Sequence, residues 1–208
     1  MDIFCFGDSI TRGENDAARG GWVDRLKVAC IRRYLREGGG ERCVFNLGIG
    51  GETTREIKRR FAAELGARRD PAKRSVVILE YGANDAARIG NSFAVPVGAF
   101  SANLSGCIDE ARRRRCEVFL LNITPVAGDS RGVRSPGGKL RKPLFIRRYN
   151  AALSALASEK KAVLIDVHAR FATHDLCALF GPDGVHPNAA GHALIYRAVK
   201  ECLETRRT

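Results

Sequence analysis

The chain has 208 residues, of which 45% are hydrophobic and 28% charged, a composition typical of globular proteins and unlike that of disordered or fibrous ones. We therefore expect one domain over residues 1–208 with a full core. The formal net charge of +12 predicts a positive surface field that attracts anions. Nucleic acid, acidic lipid and anionic substrates all fit this charge, and so does a basic protein with no anionic partner.

The seven cysteines are scattered, and none of them forms a C-x-x-C pair. Several lie in apolar runs, which predicts buried thiols in a reducing compartment rather than a disulfide framework. The first residues show neither a basic segment nor a long apolar segment, and no apolar run approaches the length of a membrane span. We expect a cytoplasmic protein without a membrane span.

Short apolar runs alternate along the chain with longer amphipathic stretches. The predicted strands are 2–7, 43–49, 75–81, 117–123 and 162–167, and the predicted helices are 22–36, 53–67, 97–115, 147–160 and 188–203. Strands that are apolar on both faces are typical of a parallel sheet covered by helices. Five successive strand–helix units therefore predict a doubly wound α/β sandwich.

The segment 125–143 interrupts this alternation, because it is rich in glycine and proline, basic, and too long for an ordinary connection. It follows the carboxyl end of a strand, which is the ligand side of an open α/β sheet. It is interpreted either as a lid or substrate loop or as an inert insertion. The arginine run 112–115 is interpreted as the basic end of a helix rather than as a nucleic-acid patch.

Ser9 is the first candidate for chemistry. It follows the strand that ends at Gly7 and so lies at the carboxyl edge of the predicted sheet. By itself it is equally consistent with an ordinary turn or helix cap. Cys5 is excluded as a nucleophile, because it lies in mid-strand between phenylalanines, where an apolar environment keeps a thiol protonated.

Asp183 and His186 lie in one short loop before the last predicted helix. A serine nucleophile requires a base, and that base requires an acid to orient its imidazole. His186 is the preferred base, since it alone combines a nearby acid with such a loop. The other histidines are His168, the best rival, His174 and His192. No histidine or cysteine pair has the spacing of a zinc site.

Two further segments supply possible donors to an oxyanion. Gly51 follows the second strand and opens a helix, where a backbone N–H faces outward, and Gly50 is an open alternative. Asn84 follows the third strand and carries a side-chain amide. Together with the Ser9 N–H, Gly51 and Asn84 provide three donors of the kind that stabilise a tetrahedral intermediate.

These segments, in this order, resemble the GDSL/SGNH hydrolase family over residues 4–192. The matching blocks are Gly-Asp-Ser-Ile at 7–10, the glycine-rich block around Gly51, Gly-Ala-Asn-Asp at 82–85 and Asp-Gly-Val-His at 183–186. The resemblance implies a three-layer α/β/α fold with a five-stranded parallel, flavodoxin-like sheet. It also implies a site formed by the serine, glycine, asparagine and histidine, with the aspartate orienting the histidine, and neither metal nor cofactor.

We therefore expect a serine hydrolase that cleaves small carboxylic esters or thioesters with short acyl chains through an acyl-enzyme. Asp8 and Arg12 are expected to bind substrate. A basic rim is predicted to favour an anionic leaving group, and it comprises Arg12, Arg131, Arg134, Lys139, Arg141 and Lys142. The alternative is a non-catalytic basic binding module on the same fold. A nucleic-acid partner is not expected, because no basic stretch has aromatic residues interleaved for base stacking.

Overall fold

The computed structural model describes residues 1–205, and strands and helices alternate along most of this length. The strands are β1 (Asp2–Gly7), β2 (Cys43–Gly48), β3 (Ser75–Glu80), β4 (Arg88–Ile89), β5 (Ser92–Phe93), β6 (Cys116–Leu121), β7 (Val133–Arg134), β8 (Leu140–Arg141) and β9 (Val163–Ile165). The helices are α1 (Ser9–Arg12), α2 (Gly21–Glu37), α3 (Thr54–Arg68), α4 (Val97–Arg113), α5 (Pro143–Glu159), α6 (Val167–Ala172) and α7 (Ala189–Thr205).

Five strands form the central sheet, in the order β2-β1-β3-β6-β9, and all of their pairings are parallel. Strands β1 and β3 are buried at every position, as their continuous apolar sequences predict. Helix α2 packs against α7, while α4 packs against both α3 and α5. The three-layer α/β/α fold with a five-stranded parallel sheet is therefore confirmed.

The five strands of the central sheet and the five long helices were predicted, whereas the short helices, the two-residue strands β4, β5, β7 and β8, and the start of one helix were not. Helix α5 begins at Pro143, four residues before the predicted start, because a proline at the first helical position has no N–H to leave unpaired. Helices α1 and α6 were not predicted, since four and six residues are too few to show a helical period. Each begins after an aspartate, Asp8 or Asp166, whose side chain accepts a hydrogen bond from the first turn.

The segment 125–143 is not irregular throughout. It contains β7 and β8, which join β4 and β5 in a four-stranded sheet of order β5-β4-β8-β7. All of the pairings in this second sheet are antiparallel. The segment is thereby tied to the stretch that follows β3, on the side of the molecule where the predicted site lies.

Within residues 1–205, no helix combines the length and the apolar character needed to cross a membrane. Cys5 is fully buried in β1, and this burial raises the pKa of its thiol far above the ordinary value. A thiol in this environment stays protonated and is a poor nucleophile.

Candidate active site

The register of the central sheet brings three predicted blocks to one edge. Gly7, the last residue of β1, is paired with Gly48 of β2 and with Glu80 of β3. The residues that follow these three positions leave the sheet at the same level. Ser9 and Asn84, which are remote in sequence, are thus carried to the same carboxyl edge, as expected for parallel strands.

Ser9 is the first residue of α1 and is almost buried, with 7% of its surface exposed. The chain turns into this helix because the Asp8 side chain accepts a hydrogen bond from the Ile10 N–H at 2.9 Å. The Ser9 Oγ lies 2.7 Å from Nε2 of His186. This distance permits direct proton transfer between the hydroxyl and the imidazole.

The loop that carries His186 is shaped by Asp183. Its Oδ1 accepts hydrogen bonds from the Val185 N–H at 2.9 Å and from the His186 N–H at 3.0 Å. Gly184 adopts a positive φ of 65°, and a Cβ there would lie 2.9 Å from the carbonyl oxygen of Ala127. An aspartate followed by a glycine is therefore required locally to present both side chains in one direction.

The second carboxylate oxygen of Asp183, Oδ2, lies 2.5 Å from His186 Nδ1. Partial burial raises the pKa of Asp183, but hydrogen bonds from the His186 side chain and from the backbone outweigh burial and hold this pKa below its ordinary value. The carboxylate is therefore ionised and accepts the Nδ1 proton. In the neutral imidazole, Nε2 then has a free lone pair that faces the Ser9 hydroxyl.

The other three histidines have different partners. His168 Nδ1 lies 2.8 Å from the Ile123 carbonyl oxygen, and His192 is buried with Nε2 2.8 Å from the Glu14 carbonyl oxygen. The imidazole of His174 lies beside Thr173 Oγ1 and the Arg170 carbonyl oxygen on its own surface turn. His186 is therefore the histidine that the fold brings to Ser9.

Asn84 is buried, and its amide connects three parts of the site. Nδ2 donates to Asp8 Oδ2 at 3.1 Å and to the Glu52 carbonyl oxygen at 3.2 Å, and Oδ1 accepts from Nη2 of Arg141 at 2.8 Å. Asp8 immediately precedes Ser9, and Glu52 immediately follows Gly51. The amide nitrogen thus lies between the two chain segments that carry the other predicted oxyanion donors.

Gly51 and Gly50 differ in backbone conformation and surroundings. Gly51 has a positive φ of 78°, and no atom lies within 4 Å of the position that a Cβ would occupy. At Gly50 a Cβ would lie 2.9 Å from the Arg12 guanidinium. The open space beside Gly51 suits a backbone donor that a substrate approaches, so Gly51 stays the preferred candidate.

Asp8 does not have the role expected from the sequence. It is completely buried, and its carboxylate is hydrogen bonded to the Ile10 N–H and to Asn84, so that it cannot bind substrate directly. Burial raises the pKa of Asp8 to about 6, although the Ile10 N–H and the nearby charges of His186 and Arg141 act in the opposite direction. Asp8 instead positions the start of α1 and the amide of Asn84.

The predicted basic rim also requires a correction. Arg141 is only 5% exposed, with its Nε donating to the Ala83 carbonyl oxygen at 2.8 Å and its Nη2 to Asn84. Arg12 is half exposed beside Gly50 and is paired with Glu14. Nothing in the local sequence distinguishes Arg141 from the other basic residues of its segment, so its inward position was missed.

A depression of about 630 Å³ lies between α1 and the loop that carries Asp183. Its lining contains no large apolar side chain and consists of Arg12, Gly13, Glu14, Asn15, Asp16, Ala17, Gly181, Pro182 and Asn188. Across residues 1–205, no group of three or more histidine, cysteine, aspartate or glutamate side chains is arranged to hold a metal ion. Ser9 and His186 are not among the residues that line this depression.

Comparisons with known proteins show the family and the fold. The model of the GDSL-like Lipase/Acylhydrolase family matches residues 5–194. A lipase/acylhydrolase from Enterococcus faecalis superposes with a TM-score of 0.78 at 25% identity, covering 99% of this chain and 96% of its own. The uncharacterized lipoprotein YqeF of Bacillus subtilis is 25% identical over 228 residues, which is 96% of this chain and 88% of that protein.

A third similar protein is Axe2, an acetylxylan esterase from Geobacillus stearothermophilus. Its structure has a TM-score of 0.73 at 22% identity, with coverage of 96% of this chain and 92% of that chain. At this identity the likeness shows the fold alone.

Proposed function

Because the chain belongs to the GDSL-like lipase/acylhydrolase family, whose members hydrolyse esters, we propose that it is a serine esterase with Ser9 as nucleophile, His186 as base and Asp183 as the orienting acid. The observation that carries the proposal is the continuous hydrogen-bonded line from Ser9 Oγ through His186 to Asp183, with distances of 2.7 and 2.5 Å. The Axe2 structures in which one serine or one histidine is replaced by alanine are described as catalytic mutants, which supports a serine–histidine site here.

The proposed reaction has two steps. His186 Nε2 takes the hydroxyl proton while Ser9 Oγ bonds to the carbonyl carbon, and the carbonyl π electrons move to oxygen. The oxyanion accepts hydrogen bonds from the Ser9 N–H, from the Gly51 N–H and from Asn84 Nδ2, one of whose two N–H groups exchanges its bond to Asp8 or to the Glu52 carbonyl oxygen for the oxyanion. Collapse of the intermediate expels the leaving group, which takes the proton from His186. A water molecule, deprotonated by the same nitrogen, then bonds to the acyl carbon, and the bond to Ser9 Oγ breaks as Oγ takes the proton back from His186, which releases the acid.

The proposed substrate is a short-chain ester or thioester. The depression beside α1 has no large apolar side chain in its lining, which suits a small acyl group better than a long apolar chain. Arg12, at its edge, provides a cation for an anionic leaving group. The net charge of +12 would further favour the approach of such a substrate.

The experiment is hydrolysis of p-nitrophenyl acetate, together with covalent labelling by a fluorophosphonate. Ser9→Ala is expected to abolish both, because no other hydroxyl contacts His186 Nε2 in residues 1–205. Ser154→Ala, an exposed serine of α5, is the matched control and should keep wild-type values. Undiminished turnover of Ser9→Ala would refute the assignment. An inactive wild type that shifts nucleic acid in a salt-dependent way would instead support the basic binding module.

A further inference from the structure

Arg141 is a buried cation whose two donors point at the block that carries Asn84. Its Nε–H bonds to the Ala83 carbonyl oxygen and its Nη2–H to Asn84 Oδ1, both at 2.8 Å. A guanidinium is costly to bury, and burial lowers the pKa of Arg141, while the negative charges of Asp8 and Asp183 act in the opposite direction. A buried cation that is hydrogen bonded to the site has a role other than keeping the protein soluble.

The strand that carries Arg141 is held in place from both sides. Strand β8 pairs with β7, through Val133 opposite Arg141, and with β4, through Arg88 opposite Leu140. Strand β4 in turn follows the Asn84 block in the chain. The segment 125–143 therefore holds the Arg141 guanidinium at a fixed position beside the site.

Arg141 and the two acceptors opposite it together fix which way the Asn84 amide faces. A guanidinium has donors and no acceptor, so the amide oxygen must face Arg141. On the opposite side lie two acceptors, Asp8 Oδ2 and the Glu52 carbonyl oxygen, so the NH₂ group must face them. A flipped amide would set donor against donor and acceptor against acceptor. The only compatible orientation directs Nδ2 toward the segments of Ser9 and Gly51.

The charge of Arg141 adds a second effect. A hydrogen bond from a cation to an amide oxygen polarises the amide and makes its N–H a stronger donor. The guanidinium also offsets the nearby negative charge of Asp8, which would otherwise oppose a developing oxyanion. Both effects make the region beside Ser9 more favourable for a negative charge.

We propose that Arg141 is a positioning residue of the oxyanion hole, which orients and polarises Asn84 without touching the substrate. The inference rests on the proposed function, because it assigns Asn84 to the oxyanion hole. Through the Arg141 side chain, the segment 125–143 then contributes to catalysis.

The test is a double-mutant cycle on p-nitrophenyl acetate hydrolysis. Arg141→Met is expected to lower kcat by about 10- to 100-fold with KM changed less than about threefold, somewhat less than the loss of a direct oxyanion donor. Once Asn84→Ala is present, adding Arg141→Met should change kcat by less than about threefold, since the residue acts through Asn84. Arg113→Met, an exposed arginine at the end of α4 that is paired with Glu110, is the control and should leave kcat unchanged.

Arg141→Lys separates positioning from folding, because lysine keeps the charge and one donor but cannot bond to both oxygens. It is expected to have a kcat between those of the wild type and Arg141→Met. Equal losses from Arg141→Met with and without Asn84 would overturn the inference, and so would a rise in KM alone. If Ser9→Ala is inactive and the cycle shows no coupling, the inference fails while the proposed function stands. If Ser9→Ala is fully active, the proposed function itself fails.

Discussion

Asp85 holds the start of helix α3 through Thr54. Its Oδ1 accepts hydrogen bonds from the Thr54 N–H at 3.0 Å and from the Thr54 hydroxyl at 2.5 Å. The other oxygen, Oδ2, is buried and has no hydrogen-bond partner among residues 1–205. Burial raises the pKa of Asp85 to about 6, although the hydrogen bonds from Thr54 act in the opposite direction. At neutral pH this carboxylate is therefore ionised at a cost in stability.

Asp85→Asn should change the pH dependence of stability. Because the pKa of Asp85 is raised in the folded state, its favourable contribution is complete below about pH 4 and is lost as pH rises through about 6. From pH 4 to pH 7, the free energy of unfolding of the wild type should therefore fall by roughly 2–3 kcal/mol relative to Asp85→Asn. Urea unfolding at several pH values measures this difference. Asp70→Asn, a half-exposed carboxylate, is the control, and a difference that does not vary with pH would contradict the prediction.

Asp183→Asn should remove the orientation of His186 while leaving the fold intact. An amide at this position can donate to Nδ1, which moves the imidazole proton to Nε2 and leaves no acceptor for the Ser9 hydroxyl. We expect kcat to fall by about 10³- to 10⁴-fold, with little change in the melting temperature. Asp175→Asn is the matched control, because Asp175 likewise accepts a hydrogen bond from the backbone two residues on, at 3.0 Å. A loss below about tenfold would speak against Asp183 as the orienting acid.

Gly184→Ala should impair activity more than overall stability. Alanine is strained at the φ of 65°, and its Cβ would lie 2.9 Å from the Ala127 carbonyl oxygen, so the loop must move. Displacing His186 by about 1 Å is expected to lower kcat by about 10²-fold. Gly90→Ala shares a positive φ, 58°, but has open space, and it should retain wild-type kcat. Equal kcat values for the two variants would show that the loop tolerates the side chain.

Arg12→Gln tests the charge at the edge of the depression. Loss of an exposed cation is worth up to about 1 kcal/mol, so KM for an ester with an anionic leaving group should rise up to about fivefold. The KM of a neutral ester of the same acyl group should stay within about twofold, and added salt should reduce the difference. Arg170→Gln, which is exposed and paired with Glu201 outside the predicted rim, is the control. An equal rise for both esters would exclude a charge-specific role.

Much of the site could be predicted from short segments of the sequence. Ser9, Asn84 and the glycine-rich block each follow a buried apolar run, and parallel strands bring such positions to one edge whatever the rest of the chain does. Asp183 and His186 are three residues apart, so their contact depends on one short loop with its own Asp-Gly turn. Apolar periodicity also predicted the order of strands and helices and a doubly wound α/β sandwich, while the family resemblance implied the three-layer fold.

What the sequence alone determined is therefore the set of polar groups and the edge of the sheet to which they belong. Only the tertiary structure decided their partners. It joined Ser9 to His186 across 177 positions rather than to His168, buried Asp8 behind the serine, and turned Arg141 inward onto Asn84, 57 positions away. The physical reason is that burial and side-chain direction depend on contacts between segments far apart in the chain. The local sequence does not show whether an arginine is exposed, like Arg131, or buried, like Arg141. That depends on whether the fold places hydrogen-bond acceptors beside the guanidinium.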